Sequence, residues 1–91
     1  MAGPFDIPAV CNVEFSLINR VFLYADSRTG QRYALPLEVL SGEGMPEVFH
    51  SLANPLAANG YEVDAMGLGL TWSDDLDIAA AWLLDCGTPV G

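Results

Sequence analysis

One histidine and two cysteines are the side chains of this chain that could serve as a base and as nucleophiles. His50 lies three positions after Glu47, and Cys11 and Cys86 lie near opposite ends of the sequence. Catalysis by such groups requires a nucleophile, a base and an orienting group close together in space. On a helical wheel His50 falls on the polar side with Glu47, which is typical of a solvent-facing residue. We therefore predict that the chain has no catalytic residues and is not an enzyme.

Closely spaced carboxylates are the second feature that could do chemistry, because calcium and magnesium take oxygen ligands. The segment Asp74–Asp77 holds three acids, and Glu62 and Asp64 lie two positions apart. Neither segment has a calcium-loop pattern, and acids in the first turn of a helix are explained by the helix dipole. One histidine and two distant cysteines do not form a spaced zinc site. The sequence therefore predicts no metal site.

The glycines near residue 68 match only part of a nucleotide-binding motif. Residues 66–70 (MGLGL) have the first two glycines of a dinucleotide fingerprint, but the third is missing and no lysine or arginine lies nearby. On a strand, Gly67 and Gly69 instead indicate a bulge, a bend or close approach by another backbone. We therefore predict no cofactor.

The charge distribution narrows the list of partners more than any motif does. The 91 residues include three basic side chains and 12 acidic ones, for a net charge of −9. The three basic side chains all lie before Tyr33: they are Arg20, Arg28 and Arg32. Three acids in the same stretch balance their charge: Asp6, Glu14 and Asp26. Residues 33–91 contain acidic side chains but no lysine or arginine. A field of one sign attracts cationic partners and repels nucleic acid, so direct nucleic-acid binding is not predicted.

Rows of carboxylates predict an anionic surface that docks on a basic one. Glu62 and Asp64 on one strand would project to the same face, roughly 7 Å apart, and Asp74 and Asp77 would share one helix face. This spacing resembles that of backbone phosphates, so the surface could compete for a basic groove with a fast, salt-sensitive on-rate. The alternative is that the acids only keep an apolar domain soluble. The predicted partner-binding residues are Glu62, Asp64, Asp74, Asp75 and Asp77, with Glu43 and Glu47 flanking them.

Small, acidic, single-domain chains without catalytic residues resemble, in size and charge, the phage-encoded anti-CRISPR and anti-restriction proteins. The resemblance implies an inhibitor or decoy, a nucleic-acid mimic that occludes a basic nucleic-acid-binding site on a partner protein. Two alternatives stay open. One is a homodimeric adaptor or subunit without catalytic activity, joined through a sheet edge or the Leu68–Trp72 stretch. The other is a small ligand-binding domain whose pocket is lined by Tyr24, Tyr33, Trp72 and Trp82.

Composition indicates one folded domain over residues 1–91. The apolar fraction is 52% and the mean hydropathy is +0.32, whereas disordered chains combine charge with low hydrophobicity. The apolar excess fits a well-filled core or burial against another copy or a partner. No apolar run approaches the roughly 20 residues of a spanning helix, and the N-terminus lacks a basic secretory-signal start. We expect a cytoplasmic protein in which Cys11 and Cys86 are buried thiols rather than a disulfide.

The elements that must position these residues are predicted in the order β-β-β-α-β-α. Alternation and the turn Asp26–Gly30 predict a β-meander over about residues 11–36. A helical turn over residues 37–40 precedes a helix that begins at Pro46. Its apolar stripe is Val48, Phe49, Leu52 and Leu56. A strand over residues 61–71 and a helix from Ser73 to about Asp85 complete an α+β fold. We predict a four-stranded antiparallel or mixed sheet with two helices on one face.

Overall fold

Two antiparallel sheets carry the fold in the computed structural model, which describes residues 7–73 and 76–91. Four strands in the order β1-β2-β3-β7 form the first sheet, and three in the order β4-β5-β6 form the second. The strands are β1 (Val10–Ser16), β2 (Val21–Asp26), β3 (Arg32–Pro36), β4 (Glu62–Val63), β5 (Gly69–Ser73), β6 (Leu76–Ala79) and β7 (Thr88–Val90). The helical segments are α1 (Leu37–Leu40), a 3₁₀ helix (Glu47–Ala53), α2 (Pro55–Ala58) and α3 (Ala80–Cys86). The predicted α+β class with a four-stranded antiparallel sheet is confirmed.

The predicted β-meander forms most of the first sheet. β2 pairs antiparallel with β1 on one side and with β3 on the other. The turn between β2 and β3 closes at Gly30, whose φ is 80° and whose amide donates to the Asp26 carbonyl at 2.8 Å. Along β2, Phe22 and Tyr24 are almost fully buried, whereas Leu23 between them is only half-buried. The alternation seen in the sequence therefore gives this sheet one face on the core.

The fourth strand of the first sheet is β7. The prediction of one continuous strand over residues 61–71 is wrong. That segment forms two strands, β4 and β5, because the chain turns between Asp64 and Leu68. The Asp64 carboxylate accepts hydrogen bonds from the backbone amides of Met66 at 2.9 Å and Leu68 at 3.3 Å. Aspartate offers the backbone this local alternative to strand pairing. The predicted element order is therefore incorrect beyond residue 60.

The last helix begins later than predicted, at Ala80. Residues 76–79 form β6, which pairs with β5. Strand pairing wins because this stretch alternates: Leu76 and Ile78 are buried, whereas Asp77 and Ala79 are exposed. The helical turn predicted for Asp74 and Asp75 lies outside the described residues. The placement of two helices on one face of the four-stranded sheet stays a prediction.

The segment after Pro46 is a 3₁₀ helix, so the predicted apolar stripe is wrong in part. With three residues per turn, Phe49 and Leu52 share a face, and Leu52 is 1% exposed while Phe49 packs against the core. Val48 and Leu56 do not share that face and are 46% and 74% exposed. The tighter helix therefore buries half of the predicted stripe.

An aromatic cluster around Phe22 joins the two sheets. Phe22 is 0% exposed, and its ring centroid lies 4.5 Å from that of Phe15 in β1. On the other side its ring meets Tyr61, just before β4, at 5.4 Å and Trp72 in β5 at 6.0 Å. The Trp72 indole donates to the Ala58 carbonyl at 2.8 Å, which adds α2 to the cluster. One buried ring of the first sheet thus holds the second sheet in place.

Tyr24 fixes α3 against the first sheet. Its hydroxyl donates to the Leu83 carbonyl, and its ring stacks on Tyr33 with centroids 5.9 Å apart. Burial raises the pKa of Tyr24, which further favours the protonated phenol that donates this hydrogen bond. A Cβ at Gly87 would meet the Tyr24 hydroxyl, which explains why glycine follows α3.

Asp26 holds the turn between β2 and β3 through a partly buried ion pair with Arg28. Its carboxylate accepts from the Arg28 backbone amide at 2.8 Å and from the Arg28 guanidinium at 3.2 Å, and the residue is 5% exposed. The Arg28 side-chain hydrogen bond lowers the pKa of Asp26. Because the folded-state pKa lies below the unfolded one, the stabilisation is complete above the unfolded pKa and is lost as pH falls through the folded pKa.

Asp26→Asn is therefore expected to destabilise the fold at neutral pH by about 1.5–3 kcal/mol, the range for hydrogen bonds to a charged group. In acid, where the wild-type carboxyl is also uncharged, the difference should shrink. Urea unfolding of both proteins at neutral and acidic pH measures it. Asp85→Asn is the control, because Asp85 is exposed on α3. A loss that does not change with pH would contradict this account.

Candidate functional site

Glu62, Thr71 and Asp77 form a row across the exposed face of the second sheet. Glu62 pairs with Thr71 on β5, and Thr71 pairs with Asp77 on β6. All three are exposed, while Leu70 and Ile78 on the opposite face are 0% and 6% exposed. Adjacent strands lie about 4.8 Å apart, so the Cα atoms of the two acids are about 10 Å apart. Strand pairing, absent from the prediction, thus aligns two predicted site residues across one sheet.

Asp64 lies beside the same face, but its carboxylate also has a structural partner. The predicted strand row of Glu62 and Asp64 is wrong, because β4 ends at Val63 and the Asp64 carboxylate holds the next turn. A carboxylate has about four acceptor positions, so two backbone amides leave part of its capacity free. Asp64 and Asp77 line one cleft of about 280 Å³. The structure therefore brings Asp64 to Asp77 across a cleft rather than to Glu62 along a strand.

Gly69 shapes this cleft. It pairs with Ala79 on β6, and a Cβ at Gly69 would meet the Ile78 carbonyl oxygen. Of the three alternatives for this glycine, a bulge, a bend or close approach by another backbone, the structure shows the close approach. Because position 69 has no side chain and Ala79 has only a methyl group, the sheet face is recessed beside Thr71 and Asp77.

Asp77 also lines a second, more apolar cleft of about 340 Å³. The other residues of its wall come from the 3₁₀ helix region, β6 and α3: Gly44, Met45, Pro46, Phe49, Ile78, Ala79 and Trp82. Glu43 and Glu47 are exposed and adjoin Gly44–Pro46 in the chain. Asp77 is thus a carboxylate shared by two clefts, with two further predicted acids next to the second.

Asp74 and Asp75 lie outside the described residues, and the predicted pairing of Asp74 and Asp77 on a helix is wrong because Asp77 is in a strand.

The apolar cleft suits a cationic side chain. The alkyl stem of an arginine or lysine can pack against Met45 and Phe49, while its charged head reaches water or a carboxylate. Trp82 also lines this cleft, and an indole ring can bind a cation through its face, while the Asp77 carboxylate can accept charge-assisted hydrogen bonds. We call Glu62, Asp64, Thr71 and Asp77, together with this cleft, the acidic face.

Comparison with known proteins gives no match. No family model, no curated protein and no solved structure matches this chain. Only the charge, burial and strand register of its own residues therefore bear on its function.

The apolar wall of the acidic face is not predicted by the sequence. Its patterns give Met45 and Phe49 no site role and place Trp82 only in an aromatic pocket with Tyr24, Tyr33 and Trp72. Tyr24 is instead buried in the core and Trp72 packs on Phe22, and neither ring lines the cleft that Trp82 lines. No local signal predicts the wall, because it joins residues 44–49 to residues 77–82.

The residues considered for catalysis lie in separate elements. His50 is exposed on the 3₁₀ helix, and Cys11 is half-buried in β1. Both thiols are free, and the prediction that Cys86 is buried is wrong: it is exposed, because α3 buries Ala80 and Leu83 instead. Partial burial and the neighbouring Asp85 raise the pKa of Cys86, which disfavours its thiolate.

Within residues 7–73 and 76–91, no three His, Cys, Asp or Glu side chains come together as a metal-binding group. The longest helical segments in that part of the chain have seven residues, and none is long and apolar enough to span a bilayer.

Proposed function

We propose that this chain is a protein-binding module of the inhibitor or decoy kind, whose acidic face docks on a basic surface of a partner and occludes its nucleic-acid-binding site. The observation that carries the proposal is the position of Asp77. It is exposed, aligned with Glu62 across the sheet, and shared by two clefts. The sequence has no lysine or arginine after Arg32.

Basic nucleic-acid-binding grooves are built to neutralise regularly spaced negative charges. Carboxylates held on a sheet keep their spacing, so they meet such a groove without first being ordered. Their field also steers a basic partner towards the face before contact. These features support competition with nucleic acid for the same cations.

The alternative, that the acids only confer solubility, requires negative charge but no order. Here the carboxylates border two clefts, one of which has an aromatic and methionine wall. Apolar lining next to charge adds contact area for a partner, whereas a solubilising surface gains nothing from it. This arrangement favours docking.

Charge reversal at the acidic face tests the proposal. The immobilised chain is first used to capture a partner at low salt from extracts of the cells in which the chain naturally occurs. The affinity of the chain for the purified partner is then measured by calorimetry. Glu62→Lys and Asp77→Lys are each expected to weaken binding about tenfold or more, because each replaces an attraction with a repulsion. Affinity should also fall steeply between about 0.05 M and 0.2 M salt.

Asp85→Lys is the matched control for this experiment. It makes the same change in net charge at an exposed position on α3, outside both clefts. We expect it to change the affinity by less than about threefold, since distant surface charges are screened. An equal loss in all three variants, or an affinity that does not depend on salt, would show that no specific acidic face exists.

A further inference from the structure

The first sheet has a second face, which points away from the core. Val21, Leu23 and Ala34 alternate along β2 and β3 with the buried residues Phe22 and Leu35. These three are half-buried, yet they do not belong to the hydrophobic core cluster or to the side chains packed against it. In the described part of the chain, the core therefore lies against the opposite face, and this one presents aliphatic side chains outward.

Two opposite charges stand at diagonal corners of that outward face. The strand register aligns two rows, Cys11–Ala25–Arg32–Val90 and Glu14–Leu23–Ala34–Thr88. Glu14 on β1 and Arg32 on β3 are both exposed and flank β2 on opposite sides. Neither makes an ion pair within residues 7–73 and 76–91. An open depression of about 480 Å³ lies between them, and Ala25 is part of its lining.

We propose that this outer patch, defined as Glu14, Leu23, Arg32 and Ala34, joins two copies of the chain in a two-fold dimer. A two-fold interface must be self-complementary, since each contact occurs twice. A two-fold axis lying in the interface over β2 brings Glu14 of each copy to Arg32 of the other. Leu23, which is half-buried and lies near the axis, then packs against the other copy, and the dimer has a small apolar centre with an ion pair on either side.

Electrostatics favour a second copy at this patch over the basic partner of the acidic face. Each copy carries a net charge of −9, so two copies repel wherever their unopposed acids face one another. The outer patch is neutral, with one acid and one base. A cationic partner gains no net attraction there, whereas a second copy gains two ion pairs through the diagonal arrangement.

The dimer does not depend on the proposed function, but it would strengthen it. Two copies joined through the first sheet carry two acidic faces, because those faces lie on the second sheet. A partner or assembly with two basic sites would then bind with avidity beyond that of one face.

The oligomeric state of charge-reversed variants tests the dimer. Wild type should sediment at twice the 9.7 kDa monomer mass. Glu14→Arg and Arg32→Glu each place like charges together twice, and each should weaken dimerisation about tenfold or more. The double variant E14R/R32E restores opposite charges and should recover the dimer. Leu23→Lys should abolish it, whereas Leu56→Lys, which changes a side chain 74% exposed elsewhere, should not.

Three results would overturn the proposal: a wild-type chain that stays monomeric up to millimolar concentration, a dimer that persists in both single charge reversals, or a double variant that fails to recover. Circular dichroism of each variant checks that it folds.

The result is separable from partner binding, because Glu14→Arg leaves the acidic face intact. Between about 0.1 M and 1 M salt, screening weakens the two ion pairs of the dimer but also the repulsion between copies, so dimerisation should change less than partner binding, which should be lost.

Discussion

Phe22→Ala is expected to remove about 3–5 kcal/mol from the free energy of unfolding. The side chain is fully buried and contacts the rings of Phe15, Tyr61 and Trp72. Its deletion leaves a cavity between the two sheets and removes three aromatic contacts. A domain of this size is stable by roughly 5–14 kcal/mol in total. The variant should therefore lose a large part of its stability and be close to unfolding under mild conditions.

Urea unfolding followed by tryptophan fluorescence measures this loss directly, since Trp72 lies next to the deleted ring. Ile18→Ala is the control, because Ile18 is 93% exposed in the turn before β2. Its effect should stay within about 0.5 kcal/mol. A loss below about 1 kcal/mol for Phe22→Ala would mean that the ring does not hold the two sheets together.

Gly67→Ala is expected to be the next most damaging change. The φ of Gly67 is 74°, and a side chain in this left-handed region costs about 1–3 kcal/mol. A Cβ there would also meet the Val10 carbonyl oxygen, which adds to the cost. The Val10 amide donates to the Gly67 carbonyl at 2.8 Å, so this residue ties β1 to the turn that carries Asp64. We expect loss of stability and a weaker affinity for the partner, because one wall of the acidic face would move.

Gly30→Ala separates the two causes. Gly30 has a φ of 80°, and no atom beyond its two chain neighbours lies within 4 Å of the position that a Cβ would occupy, so its substitution carries the backbone cost alone. Unfolding free energies of both variants, measured side by side, should show the larger loss for Gly67→Ala. Equal losses would mean that the contact with Val10 places no constraint on the position of the turn.

Local patterns were sufficient to predict the meander and insufficient beyond residue 60. Alternation in β1 and β2 and the turn chemistry of Asp26 and Gly30 act within a few residues of each other, so they can be read from the chain. The turn at Asp64 could not be predicted in this way, because the Asp64 carboxylate accepts hydrogen bonds from two backbone amides within an otherwise strand-like pattern. Residues 76–79 are similar: their alternation is short, and Ser73 before them suggested a helix cap.

The candidate site residues could be named from charge, but their arrangement depends on non-local pairing. The row of Glu62 and Asp77 exists because two strands pair with β5 in one register. The outer patch depends likewise on a bulge between Cys11 and Glu14, which lets residues three apart share a face. Such registers are set by tertiary contacts and leave no signal in sequence spacing.

If the acidic face occupies the nucleic-acid-binding site, the chain and nucleic acid must exclude each other on the captured partner. A fluorescently labelled duplex bound to the partner has a high anisotropy, and the chain is titrated into this complex. We expect the anisotropy to fall to the value of free duplex, and we expect Asp77→Lys to need about ten times more protein for the same effect. Anisotropy that stays high or rises while the chain binds would reveal a ternary complex and contradict docking of the acidic face on the nucleic-acid-binding site.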